Sequence, residues 1–196
     1  MNIVNTLSYY DDKAREFCDN TINADVSPQR ERFLKYLPSK AFILDFGCGS
    51  GRDTKAFLEL GYEVAAIDGS KELCKVASEF CGIEVKNMLF QDLTDINLYD
   101  GIWACASILH LNKQDLKDVI IKMTKALKDD GVIYSSFKYG DFEGKRNGRY
   151  FTDFTVDSFT DYIDGIAGIS IIESWITSDV RPGRGEEKWL NLILKK

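Results

Sequence analysis

The sequence predicts an α/β fold: a doubly wound, mostly parallel seven-stranded sheet with helices on both faces and a C-terminal antiparallel hairpin. Three observations predict it. A run of β-formers at residues 42–46 ends in glycines at alternate positions, Gly47, Gly49 and Gly51, then gives way to a helical segment and a second apolar run at 64–67 closed by Asp68. Short apolar runs go on alternating with helical stripes as far as residue 137, and that alternation requires parallel strands with helical crossovers. The last two apolar runs, 169–176 and 189–194, have no helical pattern between them, so they pair as a hairpin.

The elements follow in order. Residues 9–18 have the spacing of a short amphipathic helix. Ser27 caps a second helix with Pro28 at its first position, and this helix stops before Pro38. Strand one is 42–46, and a helix over 52–60 ends at Gly61. Strand two is 63–67. Ser70 opens the next helix, with Leu73, Val76, Ala77 and Phe80 at helical spacing and Gly82 after its end. Strand three is the weakest, 83–85 with an extension as far as Met88. Strand four, 101–106, is an unbroken apolar run, as expected for a strand covered on both faces. Leu116, Val119, Ile120, Met123 and Leu127 form one stripe of a helix over 113–127. Asp129-Asp130-Gly131 turns into strand five at 132–137. Residues 138–153 lack periodicity and read as a long loop; 155–162 is a further helix.

Composition narrows the function classes. A chain of 196 residues suits a single domain. It divides into an N-terminal helical lid (1–38), a ligand-binding core (39–137), and recognition loops with the last strands (138–196). A net charge of −6 argues against a broad nucleic-acid footprint, though not against a local basic groove. No apolar run approaches the ~20 residues that span a bilayer, and the first residues lack the basic and apolar regions of a signal peptide. The five cysteines are odd in number and scattered, which reads as a reduced, cytoplasmic thiol set. No ligand cluster implies a metal. The oligomeric state is open.

The glycines remove Cβ atoms and allow positive φ, so a ligand can lie against the backbone. The helix after them offers unpaired N–H groups and a positive dipole end. Asp68, at the tip of the next strand, is placed to bond a ribose diol. A dinucleotide fold needs G-x-G-x-x-G, but the third position here is Arg52. That disfavours a nicotinamide dehydrogenase. The stretch from Asp45 to Gly51 reads D-x-G-x-G-x-G, which resembles motif I of the class I S-adenosylmethionine-dependent methyltransferases. The G-x-G-R sequence is also similar to the tellurite-resistance-type members.

The resemblance implies S-adenosyl-L-methionine as cofactor and assigns its contacts. Gly47, Gly49 and Gly51 line it, Asp45 stabilises the loop, and Asp68 takes the ribose hydroxyls. Gly69 and Ser70 stand where the family packs against the adenine. Asp92 matches the acid that accepts from the adenine amino group, with the Leu93 N–H nearby. Asp68 and Asp92 have the alternative of capping a helix or closing a turn. Arg52 either pairs with the methionine carboxylate in a bidentate fork or is a solvated arginine at a helix start. Cys48 is a small polarisable filler. Tyr10, with Tyr9, heads a helix that in relatives lids the cofactor; core packing is the other reading.

Residues 104–111, which include Ala106, border both cofactor and acceptor. They lack the Asn/Asp-Pro-Pro-Tyr quartet of exocyclic-amine methyltransferases and the Pro-Cys of C5-pyrimidine chemistry. His110, the only histidine, is either a structural residue or a base for a hydroxyl acceptor; Tyr139 is a second candidate base. The arginine- and aromatic-bearing loops 138–153 and 179–188 suit a planar or anionic acceptor, or else form a solvated, ion-paired surface. Three functions follow: methyl transfer to a small-molecule acceptor by in-line displacement, methyl transfer to RNA or protein, or cofactor binding without catalysis.

Overall fold

The computed structural model describes residues 2–196. The main sheet contains β1 (Phe42–Phe46), β2 (Glu63–Asp68), β3 (Val85–Asn87), β4 (Tyr99–Ala104) and β5 (Leu127–Lys138). A separate two-stranded hairpin follows, β6 (Glu143–Arg146) and β7 (Arg149–Thr152), and then β8 (Ser170–Ser178) and β9 (Lys188–Lys195) rejoin the main sheet. The seven-stranded order is β3-β2-β1-β4-β5-β9-β8. Strands β1 to β5 run parallel; β9 is antiparallel to both β5 and β8. The chain therefore reverses its direction of travel across the sheet between β1 and β4, which opens a crevice above their carboxyl ends.

Seven helices surround the sheet: α1 (Asn2–Asp12), α2 (Ala14–Thr21), α3 (Ser27–Leu34), α4 (Arg52–Glu59), α5 (Lys71–Cys81), α6 (Lys113–Ala126) and α7 (Val156–Asp164). The strands alternate between two cores, as the pleat demands. Leu44 and Phe46 join the stripe of α6 (Leu116, Val119, Ile120, Met123) and Phe159 of α7 on one face. Ile43, Trp103 and Tyr134 meet Phe33 of α3 and Phe57 of α4 on the other. There the Trp103 indole stacks on Tyr134 at 3.9 Å.

Some elements differ from the expectations. The single helix over 9–18 is two helices, broken at Lys13, and α1 starts well before residue 9. Strand three occupies 85–87, the later part of the expected 83–88 range. The Ser78 hydroxyl takes the Val85 N–H at 2.9 Å, which holds the chain at the point where pairing begins. Residues 138–153 are not a bare loop. Asn147 (φ 51°) and Gly148 (φ 80°) form a two-residue turn with both residues left-handed, and this closes the β6–β7 hairpin. The hairpin packs on α1, where the Tyr150 N–H reaches Thr6 Oγ1 at 3.2 Å.

Candidate active site

A cavity of about 230 Å³ lies over the carboxyl ends of β1, β2, β4 and β5. Its floor begins at the glycine loop. The Gly47 and Cys48 N–H groups both donate to Ile67 O at 3.0 Å, which folds the loop back over β2. At Gly47 (φ +87°) a Cβ would lie 2.5 Å from Ser107 Cβ and 3.0 Å from the Phe90 ring. At Gly49 (φ +56°) it would lie 3.1 Å from the Phe17 ring of α2. Gly69 faces Leu7 in the same way, at 2.7 Å. The missing Cβ atoms thus let Ser107, Phe90, Phe17 and Leu7 close over the backbone of both loops.

Asp68 is buried at the tip of β2. Its carboxylate accepts from Gly49 N and from Ser70 N, each at 2.9 Å. Burial pushes its pKa up to about 6, and the two N–H bonds hold it back from rising further. Leu7, Leu89 and Phe90 line the cavity beside it, giving an apolar slot next to an acid. Asp45 is buried below the loop and takes the Thr54 hydroxyl at 2.6 Å. Burial and then the nearby Asp53 charge push Asp45 up to about 8.

Arg52 and Asp53 open α4. The Arg52 guanidinium grips Asp53 with two bonds, at 3.1 and 2.7 Å, and reaches Thr21 O at 3.3 Å. Arg30 and the Trp103 indole donate to the same carboxylate, at 2.6 and 3.0 Å. Burial raises the Asp53 pKa, but the Arg52 and Arg30 cations outweigh it and hold the acid below the usual range. Arg52 therefore lines the cavity already paired with a carboxylate of its own chain.

The far end is built by α1, β7 and the turn after β4. His110 Nδ1 lies 2.6 Å from Tyr150 O. A carbonyl only accepts, so Nδ1 carries the proton and Nε2 is bare. Tyr10 donates its hydroxyl to that Nε2 at 2.8 Å, and Arg149 donates to the Tyr10 oxygen at 3.2 Å. Burial first, then the Arg149 charge, lower the His110 pKa to about 4, so the imidazole is neutral at physiological pH. Lys138, Asp179, Arg181, Arg184 and Trp189 line the same end.

The structure thus brings together on the cavity wall Tyr10, Asp45, Gly47, Cys48, Gly49, Arg52, Asp68, Gly69, Ala106 and His110. Five expected site residues are not on it. Gly51 starts α4 and packs over Ala77. Ser70 is fully buried as the cap of α5, with its hydroxyl bonded to Asp11 at 2.6 Å. Asp92 is exposed and Leu93 is core, because a 3-10 turn over Phe90–Asp92 directs Phe90 and Gln91 inward instead. Tyr139 is 41% exposed; along an extended chain Lys138 faces in, so the next residue faces out. Sequence reasoning missed Phe17 and Gln91, which carry no motif, and Asp53, whose position after Arg52 was the available signal.

Among the described residues no helix is long and apolar enough to cross a membrane, and no group of three His, Cys, Asp or Glu stands where it could hold a metal ion.

Comparison with known proteins gives the same picture. Residues 43–131 match the family described as methyltransferase domain. An uncharacterized methyltransferase of Staphylococcus carnosus is 28% identical over 169 residues, 79% of this chain and 82% of the relative. Human N-terminal Xaa-Pro-Lys N-methyltransferase 1 is 32% identical over 114 residues, and the chain spans only 51% of its length. Burkholderia thailandensis 1,6-didemethyltoxoflavin-N1-methyltransferase, solved with 1,6-didemethyltoxoflavin and S-adenosylhomocysteine, superimposes with a TM-score of 0.77. It is 22% identical, over 97% of this chain and 84% of that one, and the likeness is one of fold.

Proposed function

We propose that the chain is a class I S-adenosylmethionine-dependent methyltransferase, a reading supported by the methyltransferase-domain match and the methyltransferase relatives, and that it methylates a small-molecule acceptor by direct in-line displacement. The observation that carries this reading is the joined cavity: the bare glycine backbone and Asp68 at one end, His110 and a basic wall at the other, with Tyr10 and Phe17 of the N-terminal helices lining the space between. When bound, the cofactor supplies a methyl group activated on a sulfonium.

The residues fit that cofactor. Gly47, Gly49 and Gly69 line the cavity with backbone, and their missing Cβ atoms make room for Ser107, Phe17 and Leu7 around it. Asp68 offers a carboxylate to ribose hydroxyls, and Leu7, Leu89 and Phe90 offer apolar contact to a base. Arg52 remains a partner for a ligand carboxylate only by sharing or leaving Asp53. The chain's main contribution to rate is positioning the acceptor atom and excluding water. His110 is neutral and its Nε2 takes the Tyr10 hydroxyl, so a proton from an acceptor hydroxyl or amine can reach it through Tyr10. The five cysteines are all free, which suits a reducing cytoplasmic setting.

The test is native mass spectrometry for a co-purified adenosyl ligand, followed by transfer from labelled methyl donor to a small-molecule library. Methyl transfer to library members supports the reading. The identity to the human relative, whose name specifies a protein N-terminus, favours a second reading, so an Xaa-Pro-Lys peptide belongs in the same assay. Transfer to that peptide alone would replace the small-molecule reading with a protein-directed one.

A further inference from the structure

The stretch 138–188 contains four arginines in an acidic protein, and their surroundings differ sharply. Arg146 donates to Asp153 at 2.6 Å. Arg181 forks onto Asp179 with bonds of 2.9 and 2.5 Å. Arg184 pairs with Glu187, which also takes Lys138. These cations are spent within the protein. Arg149 is the exception: among the described residues no carboxylate pairs with it.

Arg149 instead sits in an aromatic nest. Its guanidinium lies 4.6 Å from the Tyr9 ring centre, 5.2 Å from Phe151 and 5.7 Å from Tyr10. One Nη donates to the Tyr10 oxygen, while its Nε is buried and has no hydrogen-bond partner. A guanidinium has five N–H donors, and a buried donor left unmade is unfavourable. The groups nearest the charge, the Tyr10 hydroxyl and the neutral His110, cannot balance it. Yet Arg149 and His110 line the same end of the cavity.

We propose that Arg149 receives a carboxylate of the methyl acceptor, so that the substrate class is a small organic acid held beside His110. This rests on the methyltransferase reading above. A planar fork matches a carboxylate with two parallel bonds. One uncompensated positive charge suits a monoanion; a phosphate dianion would find the other cations already occupied. The aromatic rings shield the pair from water, which strengthens it.

Protein loaded with S-adenosylhomocysteine is titrated with benzoate, benzamide, nicotinate, nicotinamide and inorganic phosphate, with binding followed by NMR chemical shifts. The acids are expected to bind at least tenfold tighter than their matched amides. Arg149→Gln is expected to lose that preference while keeping its affinity for S-adenosylhomocysteine within about twofold. Arg149→Lys should retain part of it, and Arg146→Gln all of it. Equal binding of acids and amides, no binding of either, or an unchanged preference in Arg149→Gln would overturn the assignment. Tighter binding of phosphate than of both acids would overturn it too. The acid–amide contrast uses the unaltered protein, so it decides even if a variant fails to fold. Failure to bind S-adenosylhomocysteine would instead defeat the methyltransferase site and this assignment with it.

Discussion

On the proposed reading, Asp68 makes the cofactor site sensitive to pH in a direction that can be worked out. Without ligand, burial holds its pKa near 6, above the ordinary carboxylate value. Ribose hydroxyls donate to the charged form, so binding prefers the ionised acid and brings its pKa back down. Affinity for S-adenosylhomocysteine should therefore be flat well above pH 6 and fall as pH drops through it. At pH 5 about ten in eleven sites are protonated, so affinity should be about tenfold weaker than at pH 7.5. Calorimetry in two buffers of different ionisation heat should count about one proton released at pH 5 and almost none at pH 7.5. Asp68→Asn should abolish the pH dependence. It should also destabilise the protein, because one side-chain oxygen cannot serve both the Gly49 and the Ser70 N–H groups. An unpaired buried donor costs about 1–3 kcal/mol, and each kcal/mol is worth roughly 2–4 °C in Tm at this chain length. If the pH slope persists in Asp68→Asn, or no proton is released at pH 5, Asp68 does not contact the ligand.

Three further perturbations test the surroundings of that acid. Gly47→Ala puts a methyl 2.5 Å from Ser107 Cβ, whereas Gly61→Ala has the same sign of φ with nothing within 4 Å. Urea melts should show Gly47→Ala less stable by at least ~1 kcal/mol beyond the shared strain, and equal losses would mean that the loop relaxes freely. Asp45 has a folded pKa of about 8, above its unfolded value, so its stabilising effect is full at pH below about 4 and is lost as pH rises through 8. Asp45→Asn should remove a decline of up to about 1.4 kcal/mol per pH unit across that window, and an unchanged slope would show that Asp45 ionises normally. Asp53→Asn strips the charge that Arg30 and Arg52 share, and unfolding should become easier by about 3–5 kcal/mol; a loss below 1 kcal/mol would mean that the pair is solvated.

The parts of this protein that could be read from its sequence are those whose physics is local. Strand one, the glycine loop and Asp68 announce themselves because a bare backbone and an acid at a strand tip leave few alternatives. The parallel strands, the closing antiparallel hairpin and the α6 stripe follow from periodicity. What could not be read depends on which neighbour a side chain meets across the fold. Arg52 reads from the sequence as either a ligand-carboxylate fork or a solvated arginine, and its partner Asp53 is the very next residue. The decision between them rests on Arg30 and Trp103, 23 and 50 positions away. Asp92 and Tyr139 each lie one step from the cavity wall: the 3-10 turn carries Gln91 inward, and strand alternation carries Lys138 inward. The Asn147-Gly148 pair signalled the β6–β7 hairpin and went unread because its flanks are charged and aromatic rather than regularly alternating.

That hairpin also changes what the arginines mean. As a loop, residues 138–153 would present Arg146 and Arg149 to solvent as equivalents. As a hairpin they stand opposite one another in register, directly flanking the turn. One then reaches Asp153, and the other is folded under Tyr9 and Tyr10 of α1. The N-terminal helix and the hairpin are therefore coupled through Arg149 as well as through the Tyr150–Thr6 bond. An anion that engages Arg149 would draw on the same contacts that hold Tyr10 against His110. Acceptor recognition and the geometry of the candidate base cannot vary independently in this site, and a substitution at Tyr10 should disturb both.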